Sequence, residues 1–176
     1  MRLTAQPGES GKTLAILGAF SLFLSAIEYM IPKPLPFMRI GIANLPLMLA
    51  IDIFPFHSFL ILAGIKIAGQ ALITGTLFSY IFLFSLAGTA VSAVSMFAFR
   101  RLSGNKLSSF IGAGLLGAMA SNITQLALAS FFVFGKAAQY IAPPFLITGI
   151  ITGISLGIFC EIFTRKSAWY DACRIR

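Results

Sequence analysis

Apolar residues dominate this chain in long unbroken runs, and the polar positions between the runs are short and few. A membrane-crossing helix needs about 20 consecutive apolar residues, and the runs approach that length over 13–31, 56–74, 77–99, 109–134 and 141–164. A shorter run, 40–54, lies between the proline cluster Pro32, Pro34 and Pro36 and the next break at Pro55. At ~1.5 Å per helical residue it either crosses compactly or enters and turns back. The pattern predicts an all-α polytopic membrane protein of six transmembrane helices, a single membrane domain over 1–176. Gly75-Thr76 marks a tight turn, and 100–106 is the most hydrophilic internal loop.

Composition agrees with the pattern. Of 176 residues, 58% are hydrophobic and 10% charged, whereas a soluble domain carries about 25% charged residues. The net charge of +8 suggests nucleic acid until the basic positions are mapped. They fall in the breaks between runs, as the positive-inside rule requires, and no nucleic-acid partner is expected. With six crossings and both ends inside, Arg2, Lys12, Arg100, Arg101, Lys106, Arg165, Lys166, Arg174 and Arg176 are cytoplasmic. Lys33, Arg39 and Lys136 are then outside and Lys66 is in the membrane. This asymmetry predicts an inner-membrane protein with both termini cytoplasmic. Asp52 and Glu161 fall near cytoplasmic ends, where water reaches them. His57 sits at a turn, and Cys160 and Cys173 have no metal-ligand spacing.

Polar side chains inside the runs carry the functional signal, because a Lys or Asp at mid-helix costs about 2.5–3.5 kcal/mol on insertion scales. Lys66 lies near mid-membrane with Gln70 one turn further on the same face. Asn122 and Gln125 share a face of the fifth run, and Asn44, Glu28, Ser79, Tyr80 and Thr148 fall in the outer half. With Arg39 above them, they define an expected outward-facing substrate pocket. Each has a plainer reading as well. Asn122 and Gln125 also serve as interhelical glue, Glu28 as a partner for Lys66 or Arg39, and Phe37 and Tyr80 as interfacial aromatics. Gly149, Gly153 and Gly157 recur at four-residue spacing and predict close helix packing, as do Ala15 and Ala19. Gly112-Ala-Gly-Leu-Leu-Gly117 spells a dinucleotide fingerprint but follows no strand. No catalytic constellation, metal cluster or cofactor motif is present, so no enzymatic activity is expected. Lys66 and Arg39 favour an anionic group on the substrate, and the aromatic-rich outer half favours a ring or prenyl-like part.

Three stretches, Arg39-Ile-Gly-Ile-Ala-Asn44-Leu45, Gly64-Ile-Lys66 through Gln70, and Leu72-Ile-Thr-Gly-Thr-Leu-Phe-Ser79, resemble the bacterial Gx transporter family. That family is also labelled heptaprenyl diphosphate synthase component I. Ser85-Leu-Ala-Gly88 and Gly117-Ala-Met-Ala-Ser-Asn122-Ile-Thr-Gln125 extend the resemblance, with a departure at Ser121, where a bulkier polar residue is expected. The family is similar in turn to the S components of energy-coupling factor (ECF) transporters. These are six-helix bundles that capture vitamins or related small molecules and dock on a coupling transmembrane subunit with two ATPases. The resemblance implies a substrate-binding component of that kind and casts Ala15 and Ala19 as docking residues. Two alternatives stand beside it: a membrane accessory of a polyprenyl diphosphate synthase, and an ion-coupled carrier using Glu28 and Lys66.

The charge asymmetry makes one direct prediction. In intact cells, a cysteine placed at Ser103 resists membrane-impermeant thiol reagents, while one at Gln139 reacts. The opposite labelling pattern inverts the topology.

Overall fold

The computed structural model describes residues 7–32, 40–102 and 109–174. The described residues form helices joined by short turns, without a strand. Helix α1 (Pro7–Met30) leads to a 3₁₀ turn (Ile42–Asn44) and the short α2 (Leu45–Ala50). Then follow α3 (Phe56–Thr74), α4 (Tyr80–Leu102), α5 (Phe110–Ala129), α6 (Ala138–Lys166) and α7 (Ala168–Arg174). A π turn (Ser130–Phe134) and a 3₁₀ turn (Gly135–Ala137) join α5 to α6. Local chemistry sets the boundaries. The Ser109 side chain accepts the Gly112 N–H and caps α5, and Gly75, at φ 65°, ends α3 in the left-handed region that favours glycine. Residues 76–79 then form a turn in which the Ser79 N–H donates to the Thr76 carbonyl, so α4 begins three residues later than the apolar run.

Among the described residues, four stretches are long and apolar enough to cross a bilayer: Gly11–Met30, Phe56–Thr74, Tyr80–Leu102 and Phe110–Lys166. The last, of 57 residues, contains both α5 and α6. The count differs from the six expected because these two helices run on as one apolar stretch and because 40–54 holds only a six-residue helix. The distribution of polarity is inverted relative to a soluble protein. Phe23, Ile147, Ile151 and Phe159 are exposed, while Glu28, Lys66, Gln70 and Gln125 are buried. This is how a bundle in lipid places its polar groups.

The short α2 stands at the centre, in contact with α1, α3, α5 and α6, and each of its residues is buried. Its backbone has no solvent to bond, and side chains from other helices hold it at both ends. At one end the Glu28 carboxylate of α1 accepts three backbone N–H groups, those of Ile40 (3.0 Å), Gly41 (3.2 Å) and Ala43 (3.2 Å). Gly41 makes the required turn at φ 89°. Ser21 Oγ donates to the Ala43 carbonyl at 3.1 Å. At the other end Asp52 forms an ion pair with Arg100 of α4, and Tyr170 Oη of α7 donates to Asp52 Oδ2 at 3.4 Å. Asp52 is therefore largely enclosed, not solvated as expected, with the Arg100 guanidinium also 4.1 Å over the Phe110 ring. Glu161 pairs with Arg165 one turn along.

Helix α5 packs most extensively on α6 and α4. The glycine stripe of α6 permits the first contact: a Cβ at Gly153 would lie 2.8 Å from the Gly114 carbonyl oxygen and 3.0 Å from Leu115 Cα, and one at Gly157 would collide with the Ile111 backbone. Ala15 and Ala19, by contrast, are exposed on the side of α1 turned away from the bundle.

Two stability effects follow. Gly157→Ala drives a methyl group into backbone, so it lowers the thermal midpoint in detergent by the equivalent of about 1–3 kcal/mol. Gly64→Ala, where a Cβ meets nothing within 4 Å, leaves the midpoint unchanged or slightly higher; equal behaviour of the two variants refutes the packing account. Glu28→Leu strands three buried donors and destabilises by at least about 2 kcal/mol, with Glu28→Gln intermediate. A Glu28→Leu protein that melts with the wild type shows that the clasp on α2 contributes nothing.

A candidate binding site around Lys66

Lys66 sits in α3 with 2% of its surface exposed. Its ammonium donates to Asn44 Oδ1, at the start of α2, and to Thr89 Oγ1 of α4 at 3.4 Å. The lysine thus joins three elements, and the irregular backbone at Gly41–Asn44 places the Asn44 amide within its reach. Beside it is a cavity of about 30 Å³, counted as room for the centres of water molecules. That is space for roughly two or three waters. It is lined by Glu28, Ile40, Gly41 and Gln70, by Ser92, Ser121, Asn122 and Thr152, and by Met48 and Met96. The methionines belong to the apolar core that continues toward Asp52 and Arg100, with Leu47, Phe59, Phe110 and Tyr170.

Two atoms of the wall have no hydrogen-bond partner among the described residues: Gln70 Oε1 and Ser92 Oγ. Both residues are at most 3% exposed. A buried polar atom left unpaired costs about 1–3 kcal/mol, and in native structures such atoms concentrate where function requires them. Gln70 lies one turn beyond Lys66 on α3, as the spacing predicts, and Ser92 lies three residues beyond Thr89 on α4. The site therefore presents a cation, amide groups and hydroxyls around a small buried space, where each hydrogen bond is electrostatically stronger than in solution.

Of the residues expected to bind substrate, Lys66, Gln70, Asn44, Asn122 and Glu28 line this cavity. Glu28 does so while holding the backbone of 40–43. Asn122 also joins helices, its Nδ2 donating to the Phe145 carbonyl at 2.9 Å. Gln125, wholly buried, is turned to the α4 side, where it packs on Gly88 and donates to Ser121 Oγ at 2.9 Å. Tyr80 is half exposed and meets the Phe84 ring edge-on. Ser79 Oγ donates to the Thr76 carbonyl and Thr148 Oγ1 to the Pro144 carbonyl, both within their own chain segment. Arg39 lies outside the described residues. No aromatic side chain lines the cavity among the described residues. The outer aromatics expected to favour a ring or prenyl part pack instead on one another, as Phe84 does on Phe132 and Phe131 on Phe132. Thr89, Ser92, Thr152 and the two methionines carry nothing in the sequence that singles them out. The departure at Ser121 was noted, and the small side chain there stands in the cavity wall. No group of three His, Cys, Asp or Glu side chains among the described residues is placed to hold a metal ion.

A family model described as heptaprenyl diphosphate synthase component I matches residues 17–163. That stretch runs from α1 into α6 and contains every residue that lines the cavity. No curated protein matches the chain, and no solved structure does. With most of its length inside the match, the chain belongs to the heptaprenyl diphosphate synthase component I family.

Proposed function

We propose that the chain is the membrane-embedded substrate-binding component of an ECF-type transporter, a six-pass bundle of the bacterial inner membrane with both termini cytoplasmic. It captures a small polar molecule from outside and passes it on through a coupling subunit driven by two ATPases. One observation carries the reading: a polar cavity around a buried lysine, with unpaired amide and hydroxyl atoms in its wall, inside a bundle whose exterior is apolar. The segment 40–54 serves as the sixth pass in this reading, since its ends bond Glu28 near the end of α1 and Arg100 near the end of α4. Ala15 and Ala19, exposed on α1, are available to a docking partner.

The family description favours a second reading, a membrane component of a polyprenyl diphosphate synthase that assembles with other subunits. In that case the chain contributes membrane attachment or product handling to a synthase partner, and the cavity is incidental to the chemistry.

The two readings separate in one set of measurements. The protein is purified in mild detergent and its bound small molecules are quantified by mass spectrometry for the wild type and Lys66→Met. The transporter reading expects a specific co-purifying compound whose affinity falls about ten- to hundredfold in Lys66→Met, the loss for a charged hydrogen bond, with the thermal midpoint largely kept. Ala15→Leu with Ala19→Leu retains ligand and loses association with a coupling subunit. An unchanged ligand load in Lys66→Met together with a lowered midpoint makes Lys66 structural. Stimulation of a soluble prenyl synthase by wild type and Lys66→Met alike then establishes the second reading.

A further inference from the structure

We infer that α7 is a releasable strap: Tyr170 bolts it to Asp52, and its release frees the turn 51–54 and the adjoining α2, whose Met48 lines the cavity. The inference goes beyond both readings of the function, since it concerns how the enclosed segment is held and not what the cavity takes. The strap is set off from α6 by one residue. Ser167 is extended (φ −95°, ψ 106°), its N–H donates to the Phe163 carbonyl at 3.0 Å, and its Oγ accepts the Tyr170 N–H at 3.2 Å, as an N-cap does. The seven residues of α7 are too few to hold a helix alone, since isolated helices under about 12–15 residues are marginal in water. Backbone approaches between α7 and the other elements are sparse. One face docks it: Ser167 and Cys173 are half-buried and Tyr170, between them, is 1% exposed, whereas Trp169, Asp171 and Ala172 are exposed.

The bolt reaches a pair of charges. Tyr170 enters the apolar cluster with Leu47, Phe59 and Phe110, and its hydroxyl donates to Asp52 Oδ2. Arg100 grips the same carboxylate twice, through Nη2 on Oδ2 and through Nε on Oδ1 at 3.3 Å. The two side chains are 8% and 11% exposed. A bidentate pair of this kind is worth far more enclosed than in water. Withdrawing Tyr170 admits solvent to it, and a solvated ion pair contributes little. Asp52 follows directly on the end of α2, and Met48 and Met96 belong both to the cluster that receives Tyr170 and to the lining of the cavity. Undocking of α7 therefore acts on one end of 40–54, while the Glu28 carboxylate keeps its three backbone N–H groups at the other. Local opening draws on the least stable units of a fold, and a short terminal element is such a unit.

The test is amide hydrogen exchange on the full chain in detergent, read by mass spectrometry over 45–54, 110–129 and 168–174 for the wild type, Tyr170→Phe and Tyr170→Ala. Tyr170→Phe keeps the ring and loses the hydroxyl, so exchange over 45–54 and 168–174 rises together by about three- to tenfold, the loss of one hydrogen bond. Tyr170→Ala raises both further. Exchange over 110–129, in α5, stays at the wild-type rate in each variant, because the α5–α6 contact does not depend on the strap. Faster exchange over 168–174 with 45–54 unchanged shows that α7 undocks without freeing the segment, and overturns the inference. A rise of all three segments together shows that Tyr170 is ordinary core packing, and overturns it as well. Where Tyr170→Ala does not fold, Tyr170→Phe decides between the same outcomes, and unchanged exchange over 45–54 in that variant also overturns the inference.

Discussion

An irregular backbone buried in an apolar bundle must find its hydrogen bonds inside the protein, and the segment 40–54 is where this chain meets that demand. Non-helical backbone at membrane depth is tolerated where protein encloses it or a cavity adjoins it, and both conditions hold here. Glu28 takes the N–H groups of Ile40, Gly41 and Ala43, while Arg100 and Tyr170 engage Asp52 at the far end. An acidic group at the start of the 3₁₀ turn and α2 also meets the positive end of the local peptide dipoles. With the segment held at both ends, α1, α3, α5 and α6 can pack around it, and Asn44 is delivered to Lys66.

The cavity is a consequence of that arrangement. A continuous helix in place of 40–44 would carry its own hydrogen bonds and leave no opening for the Glu28 carboxylate. The walls are then set by how closely the outer helices approach. Glycines let α6 meet α5 nearly backbone to backbone, so the space beside Thr152 and Gly153 is narrow. On the other side Gly88 receives Gln125, which carries that amide out of the cavity and into the α4–α5 contact. Polar groups in this interior have two tasks: one set joins helices, and another set lines the hollow.

Membership in the family and the character of the site speak to different levels. The family description names a component, which implies an assembly; the residues around Lys66 line a small polar cavity. The substrate-binding role proposed above accommodates both statements.

The sequence by itself determined the helical membrane class, because runs of apolar residues near bilayer length have no other stable form. It also determined the pairing of Lys66 with Gln70, since residues four apart on a helix share a face whatever surrounds them. Tertiary structure decided direction. Asn122 and Gln125, three apart, differ by about 60° around the helix axis. That is enough to send one toward α6 and the other toward α4. Ser92 and Thr89 were silent in sequence because a hydroxyl in a membrane helix is satisfied by its own backbone, as Thr124 is by the Ala120 carbonyl and Ser155 by the Ile151 carbonyl. Nothing in residue type separates such a hydroxyl from one that faces a cavity. The role of Glu28 was hidden for the same kind of reason. Its place near the end of the first helix was legible, but its partners are backbone N–H groups of a turn whose shape exists only once α2 is enclosed by the other helices.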